Sequence, residues 1–146
     1  MQLCAAVGAP DAYAGELPVA FATLVPGSTA TEAELLAFTA ARVDEAPAKP
    51  KSVVVIEHMP MTNVGKIFKP ELRALAARHV AEALVEEAWA DLDLPGAARP
   101  AVRAEGEKAL TVTIDAAATG PAVQALQARL QETLGRLPLK VQVLVQ

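Results

Sequence analysis

The chain has 146 residues, 53% of them apolar but only 3% aromatic, and 32 are alanine, so its core must be built from Ala, Val and Leu. That length allows one domain with a small appendage, and no apolar run approaches the roughly 20 residues of a membrane span. The 13 basic and 17 acidic side chains give a net charge of -4, which argues against a nucleic-acid partner, and a single cysteine excludes an internal disulfide or a zinc cluster and fits a reducing, cytoplasmic setting.

Leu3–Val7 is a short apolar run, and Gly8, Ala9, Pro10 and Asp11 after it read as a turn by composition and by the stiffness of Pro10. The run starts almost at the first residue, with no cap or polar arm, as a cut end would. After a turn at Gly15 and Glu16, Leu17–Val25 is apolar almost throughout and closes with Pro26, Gly27 and Ser28, which predicts a strand buried on both faces. Thr31 and Glu34 have capping-box spacing, and Leu35, Leu36, Phe38 and Val43 predict an amphipathic helix ending near Ala46 and Pro47. Ser52–Ile56 is a β-branched strand bounded by Pro50 and Pro60. From Pro70 a long helix is predicted to about Leu92, with Leu72, Leu75, His79 and Leu84 near one stripe, Glu82, Glu86, Glu87 and Asp91 on a solvated face, and Trp89 as a packing anchor.

Leu94–Pro100, with two prolines and a glycine, reads as a linker, which sets a boundary between residues 1–93 and 101–146. Beyond it Ala101–Ala104 is a weak edge strand. Leu110, Val112 and Ile114 alternate with polar residues as a half-buried strand does, and so do Leu139, Val141, Val143 and Val145 with Lys140 and Gln142. Between those strands Val123, Leu126, Leu130, Leu134 and Leu137 recur at helical steps. The expected fold is α+β: a small mixed or antiparallel sheet flanked by helices, followed by a strand–strand–helix–strand extension that shows no sequence repeat of the first half.

Met59–Ile67 places Gly65 and Lys66 at the tip of a loop between a strand and a helix, where function concentrates. A phosphate-cradling P-loop needs glycine at position 60 and Ser or Thr at position 67, which hold Pro60 and Ile67, so that reading fails. A solvated lysine beside a turn glycine fits the spacing equally well. His58 and His79 have no acid or cysteine at ligand spacing and read as surface or packing residues, and Cys4 inside a strand reads as a small buried hydrophobe. No metal-ligand set emerges.

Taken together and in order, Val7-Gly8-Ala9-Pro10-Asp11, Gly15-Glu16, Phe21, Pro26-Gly27, Glu34-Leu35, Pro50-Lys51 and the Pro60-x-Thr62-x-x-Gly65-Lys66 stretch resemble the small C-terminal domain of the adenylate-forming (AMP-binding) enzymes. That superfamily contains acyl- and aryl-CoA synthetases, luciferases and peptide-synthetase adenylation domains. The resemblance covers roughly residues 3–75, and Gly65-Lys66-Ile67-Phe68-Lys69-Pro70 is most similar to the fatty-acyl-CoA synthetase branch. It implies that Lys66 reaches into a large N-terminal domain toward the acid carboxylate and the α-phosphate of ATP, as a compact ammonium charge would. It further implies that Gly65, Thr62 and Pro60 support the loop, Gly65 by allowing close backbone approach and Pro60 by stiffening its base. The turn from Asp11 through Gly15 to Glu16 resembles part of the face turned toward CoA once the small domain rotates.

On this resemblance the whole enzyme is an acid–thiol ligase with ATP, CoA and a carboxylic acid, by branch a fatty acid, as substrates. Mg2+ is expected on the large domain and no cofactor on this chain alone. The hinge, the glycine-containing hairpin after it and the large domain have no counterpart here, so the chain is expected to be an inactive fragment whose partner is its own large domain. The tail from about Ala101 exceeds the usual end of the family's domain. An aryl or amino acid ligase, or a non-catalytic binding or regulatory module, are the alternatives.

Overall fold

The computed structural model describes residues 1–94, 99–115 and 120–146. Its first strand, β1 (Leu3–Asp11), continues through Gly8, Ala9, Pro10 and Asp11 where the composition predicts a turn. These residues pair antiparallel with β2 (Gly15–Thr23), Gly8 opposite Pro18 and Pro10 opposite Glu16. β1 lies at the sheet edge, where a proline without an N–H is tolerated, so tertiary pairing overrides the local turn signal. The reversal is confined to Ala12–Ala14. Asp11 Oδ1 accepts the N–H groups of Tyr13 at 2.9 Å and Ala14 at 2.8 Å, and Gly15 follows with φ of 78°.

β2 is buried on both faces from Val19 to Thr23, as its unbroken apolar run predicts. It pairs in parallel with β3 (Ser52–Val55), Val19 opposite Ser52, and the crossover carries α1 (Glu32–Ala40). The capping box is present: Thr31 Oγ1 accepts the Glu34 N–H at 3.2 Å, and Glu34 Oε2 accepts the Thr31 N–H at 2.8 Å. α1 stops at Ala40, short of Ala46, and Ala46–Ala48 instead form a separate 3-10 turn around Pro47. No residue of α1 is fully buried; Leu35 and Leu36 are half-buried against the sheet while Phe38 faces outward. The expected amphipathic face is therefore only partly realised.

The second sheet joins β4 (Ala101–Ala104), β5 (Ala109–Ile114) and β6 (Lys140–Val145), with α3 (Val123–Leu134) in the crossover. Leu110, Val112 and Ile114 point inward and Leu126, Leu130 and Leu134 are fully buried, as the two periodicities predict. β4 pairs antiparallel and β6 parallel with β5. The first sheet has the same plan: a hairpin, then a helix, then a third strand parallel to the second. The repeat absent from the sequence is thus present in topology. Part of the predicted linker, residues 95–98, lies outside the described residues.

The two sheets share α2 (Lys69–Asp91), about 35 Å long by its 23 residues. Leu72 and Ala76 pack with Ala5, Val7, Ala9, Val19, Phe21 and Met59. One turn on, Ala77, Ala81, Val85, Ala88 and Trp89 pack with the inward residues of β5 and α3. Of the predicted stripe, only Leu72 is fully buried; Leu75 and Leu84 are half-buried and His79 is exposed. The buried line instead follows the alanines, because small side chains let both sheets approach the helix closely. The acidic residues Glu82, Glu86, Glu87 and Asp91 do face solvent, and Arg78, Arg99 and Arg129 pair with Glu82, Glu86 and Asp91 at 3.3, 2.9 and 3.0 Å.

Because Ala81 is fully buried, Ala81→Leu overpacks the shared helix and is expected to lower unfolding free energy by about 1–3 kcal/mol. Urea titration measures this. In the unsubstituted chain, fluorescence of Trp89, the only tryptophan, and far-ultraviolet circular dichroism should report one coincident transition, since α2 belongs to both cores. Two separated transitions would contradict a shared spine.

Candidate functional site

Met59 is buried and Ile67 half-buried, and both pack on the first core, so the loop between β3 and α2 is anchored at two points. Between them the backbone folds into a small hairpin. Met61 bridges Ile67, the Phe68 N–H donates to Pro60 O at 2.8 Å, and the Thr62 N–H donates to Lys66 O at 2.7 Å. Thr62 closes the tip twice more: its carbonyl accepts the Gly65 N–H at 3.0 Å and its Oγ1 accepts the Lys66 N–H at 3.1 Å. Gly65 has φ of 78°, and nothing lies within 4 Å of where a Cβ would stand. Within this chain its requirement is thus one of backbone handedness rather than space.

Lys66 is exposed at this tip, and among the described residues no carboxylate lies within ion-pair distance of its ammonium. Met61, Val64 and Phe68 flank it at 45%, 79% and 40% exposure. The Met-Thr-Asn-Val-Gly-Lys-Ile-Phe string carries this apolar rim: of its four large apolar side chains only Ile67 packs on the core.

The structure does not bring Asp11, Gly15 and Glu16 together with Lys66. β2 and β3 run parallel, so the chain leaves β3 for the Lys66 loop at the end of the sheet opposite the β1–β2 turn. Two backbone N–H groups, Ala14 first and then Tyr13, hold the Asp11 carboxyl below its ordinary range. The Glu16 carboxylate lies across Gly8, so a side chain at that position would have to displace it. The turn instead shares a cleft with α2 and the second sheet. A cleft of about 750 Å³ is lined by Gly8, Pro10, Glu16, Arg73, Glu107 and Lys108 among others, and Arg73 pairs with Glu107 at 3.4 Å across it. Nothing local in the sequence signals that pairing, whose members are 34 positions apart.

Cys4 is exposed rather than buried, because β1 turns Ala5, Val7 and Ala9 toward α2 and Cys4 the other way. Partial burial of its thiol still raises its pKa. His58 is exposed, like His79. Among the described residues no three His, Cys, Asp or Glu side chains group as a metal site.

Gly65→Ala should strain the loop by about 1–2 kcal/mol, read as a lower thermal midpoint. The hydrogen-bonded carboxyls of Asp11 and Glu34 are both lowered on folding. Their contribution is therefore complete above the unfolded carboxylate range, about pH 4, and lost as pH falls through the lower folded values. Asp11→Asn and Glu34→Gln each keep an acceptor but no titrating group, so unfolding free energy measured from pH 6 downward should fall less steeply in each variant than in the parent.

Residues 2–66 match the family model described as the AMP-binding enzyme C-terminal domain. The chain is 35% identical over 139 residues to the marinolic acid–CoA ligase of a Pseudoalteromonas species, covering 92% of this chain and 20% of that protein. It is 40% identical over 73 residues to the acetyl-coenzyme A synthetase of Deinococcus radiodurans, covering 50% of this chain and 11% of that protein. The match to the 4-coumarate–CoA ligase-like 9 protein of Arabidopsis thaliana is 39% over 72 residues, 49% of this chain and 13% of that protein. Among solved structures, apo MatB from Rhodopseudomonas palustris covers 49% of this chain and 14% of its own at 29% identity and a TM-score of 0.46. The chain thus spans a fifth or less of these relatives, and the alignment with the first is long enough to run into the second sheet. On the family-model match, the similarity to these ligases and the loop that ends in Gly65-Lys66, residues 2–66 belong to the AMP-binding enzyme C-terminal domains.

Proposed function

We propose that the chain acts as the mobile C-terminal domain of an ATP-dependent acyl-CoA synthetase, in which a carboxylic acid and ATP form an acyl-adenylate and pyrophosphate, and the CoA thiol then displaces AMP to give a thioester. One observation carries the reading: Lys66 stands on a loop pinned by Thr62, ringed by exposed apolar side chains, with no anion of its own among the described residues. An exposed ammonium with no partner on its own chain is free to be paired by anions that another domain holds. Lys66 is a compact, strongly hydrated charge, and the rim of Met61, Val64 and Phe68 would exclude water as the loop docks. Against the carboxylate and α-phosphate oxygens, its ammonium would offset the charge that develops as pyrophosphate departs. Thr62 and Gly65 act by positioning, since they fix the backbone from which Lys66 projects, and Pro60 anchors the base through its carbonyl.

The turn from Asp11 to Glu16 issues from the opposite end of the sheet, so one rotation that withdraws Lys66 would bring a different part of the domain forward for the thiol step. Residues 1–93 would be the family domain proper and 101–146 an extension docked on it through α2. Mg2+ would sit with the nucleotide on the large domain and not on this chain, and the single cysteine suits a cytoplasmic setting. The acid is a fatty acid on the likeness of residues 65–70. The relative described as 4-coumarate–CoA ligase-like favours an aryl acid as the second reading.

The isolated 146-residue chain is expected to release no pyrophosphate from ATP with any acid; turnover above background would remove the fragment reading. In the intact ligase, Lys66→Ala should slow adenylate formation roughly 100- to 1,000-fold and leave thioester formation from a supplied acyl-adenylate within a few-fold. The thermal midpoint should hold, because the Lys66 side chain makes no contact the fold relies on. Equal losses in both half-reactions would mean that Lys66 serves domain integrity or general binding.

A further inference from the structure

The two three-stranded sheets have four outer strands, and three of these are blunted. A free strand edge offers unpaired N–H and C=O groups to any other strand, so folds shorten it, interrupt it or occupy its donors. β1 carries Pro10, which has no N–H to offer. β3 is four residues long, and its Val55 N–H donates to Glu32 Oε1 at 2.8 Å while the next residue, Ile56, donates to Ala22 of β2. β4 is also four residues long and contains Arg103. β6 has none of these devices. Its six residues hold no proline, no glycine and no charge after Lys140, and among the described residues it pairs only with β5.

The open edge matches itself. The Lys140 N–H donates to Lys108 O and the Gln146 N–H to Ile114 O, so Lys140, Gln142, Leu144 and Gln146 turn their backbone groups to β5 while Val141, Val143 and Val145 turn theirs outward. In an antiparallel pair of β6 strands centred on Val143, that residue faces its own copy and Val141 faces Val145, and each of these pairs exchanges both of its hydrogen bonds. Centring on Gln142 instead would set Val145 against Leu139, whose N–H already donates to Leu137 O at 2.8 Å. Opposite residues of an antiparallel pair share a face, so the valines line up on the α3 side. There Val141 and Val143 are half-buried and Val145 is 40% exposed, so α3 leaves the outer side of β6 uncovered. Each Lys140 stands opposite Gln146, with the two ammoniums at opposite ends of the pair.

The helix beside the strand agrees. α2 packs along β4 and α3 along β6, and the flank of α3 toward α2 carries Arg129, paired with Asp91 at 3.0 Å. At about 100° per residue, Gln124, Gln127 and Gln131 fall on the other flank, above the open edge. That flank is uncharged in a chain where 21% of residues carry charge. A primary amide both donates and accepts, so a row of glutamines complements itself across a two-fold axis. A charged partner finds nothing to pair with here, whereas the same strand matches itself in hydrogen bonds, in face and in charge. We propose that β6 and the glutamine flank of α3 form an interface with a second copy of this chain, joining the two second sheets into one continuous sheet.

Sedimentation equilibrium of the 146-residue chain should show monomer and dimer with a dissociation constant between about 1 μM and 1 mM, as for a small interface. Val143→Pro removes the N–H at the centre of the pairing and none that β5 uses, since Gln142 and Leu144 make the inward bonds. That variant should be monomeric, with the circular dichroism of the parent. The register is read separately, in chains that also carry Cys4→Ser. Gln142 stands opposite Leu144 in a pair that exchanges no hydrogen bonds, with Cα atoms about 4.5 Å apart, within the span of a disulfide. On mild oxidation, a mixture of Gln142→Cys and Leu144→Cys chains should cross-link at least about tenfold faster than either chain does with itself. A chain that stays monomeric up to about 1 mM overturns the proposal, and so does a dimer that survives Val143→Pro, because its contact lies elsewhere. Cross-linking with no preference for the mixture overturns it as well, and that measurement decides the matter should Val143→Pro fail to fold. Neither readout involves ATP or an acid, so both stand apart from the functional reading.

Discussion

The molecule depends on one buried line of small side chains along α2. Ala76, Ala77, Ala81 and Ala88 are each at most 2% exposed, and they let a single helix pack on two sheets in succession. A larger residue at any of them would push a sheet outward, because protein interiors have no spare volume to absorb it. The Lys66 loop ends where α2 begins, since Phe68 caps the helix and Lys69 opens it. The direction in which Lys66 is held therefore follows from how the helix is packed. The second sheet is bound to the same helix, and its β4–β5 turn is tied to that helix again by the Arg73–Glu107 pair.

Parallel pairing of β2 with β3 has a functional consequence. Had β3 run antiparallel, the loop after it would have left the sheet beside the Asp11–Glu16 turn. Parallel pairing instead makes the chain leave the sheet at the end away from that turn. The loop itself is held by short-range hydrogen bonds around Thr62 and by two apolar anchors, Met59 and Ile67, which keep it in shape while its tip stays exposed.

Both sheets follow one plan, yet their sequences do not resemble each other, and the reason lies in what covers them. The first has helices on both faces, so β2 reads as a continuous apolar run. The second has α2 and α3 on one face only, so β5 alternates apolar and polar residues. The same strand order with different coverage requires different hydrophobic patterns, and topology can recur where periodicity does not. The uncovered strip along β1 is the one place where the first sheet departs from its own rule.

Sequence by itself determined the features that arise from near neighbours: the capping box at Thr31 and Glu34, the alternation of β5, the helical steps of Leu126, Leu130 and Leu134, and the Pro60-to-Lys66 motif with its family likeness. Each is a matter of spacing within a few residues, where local backbone geometry and one layer of burial settle the outcome. Tertiary structure decided what depends on distant partners. Gly8–Asp11 became strand because β2 was there to pair with it, α1 ended early, and Cys4 faced outward. The stripe of α2 fell on alanines rather than on Leu75, His79 and Leu84, and Arg73 met Glu107. Alanine carries little hydrophobic signal of its own, so a chain whose core is made of it shows which face is buried only once the surfaces that bury it have come together.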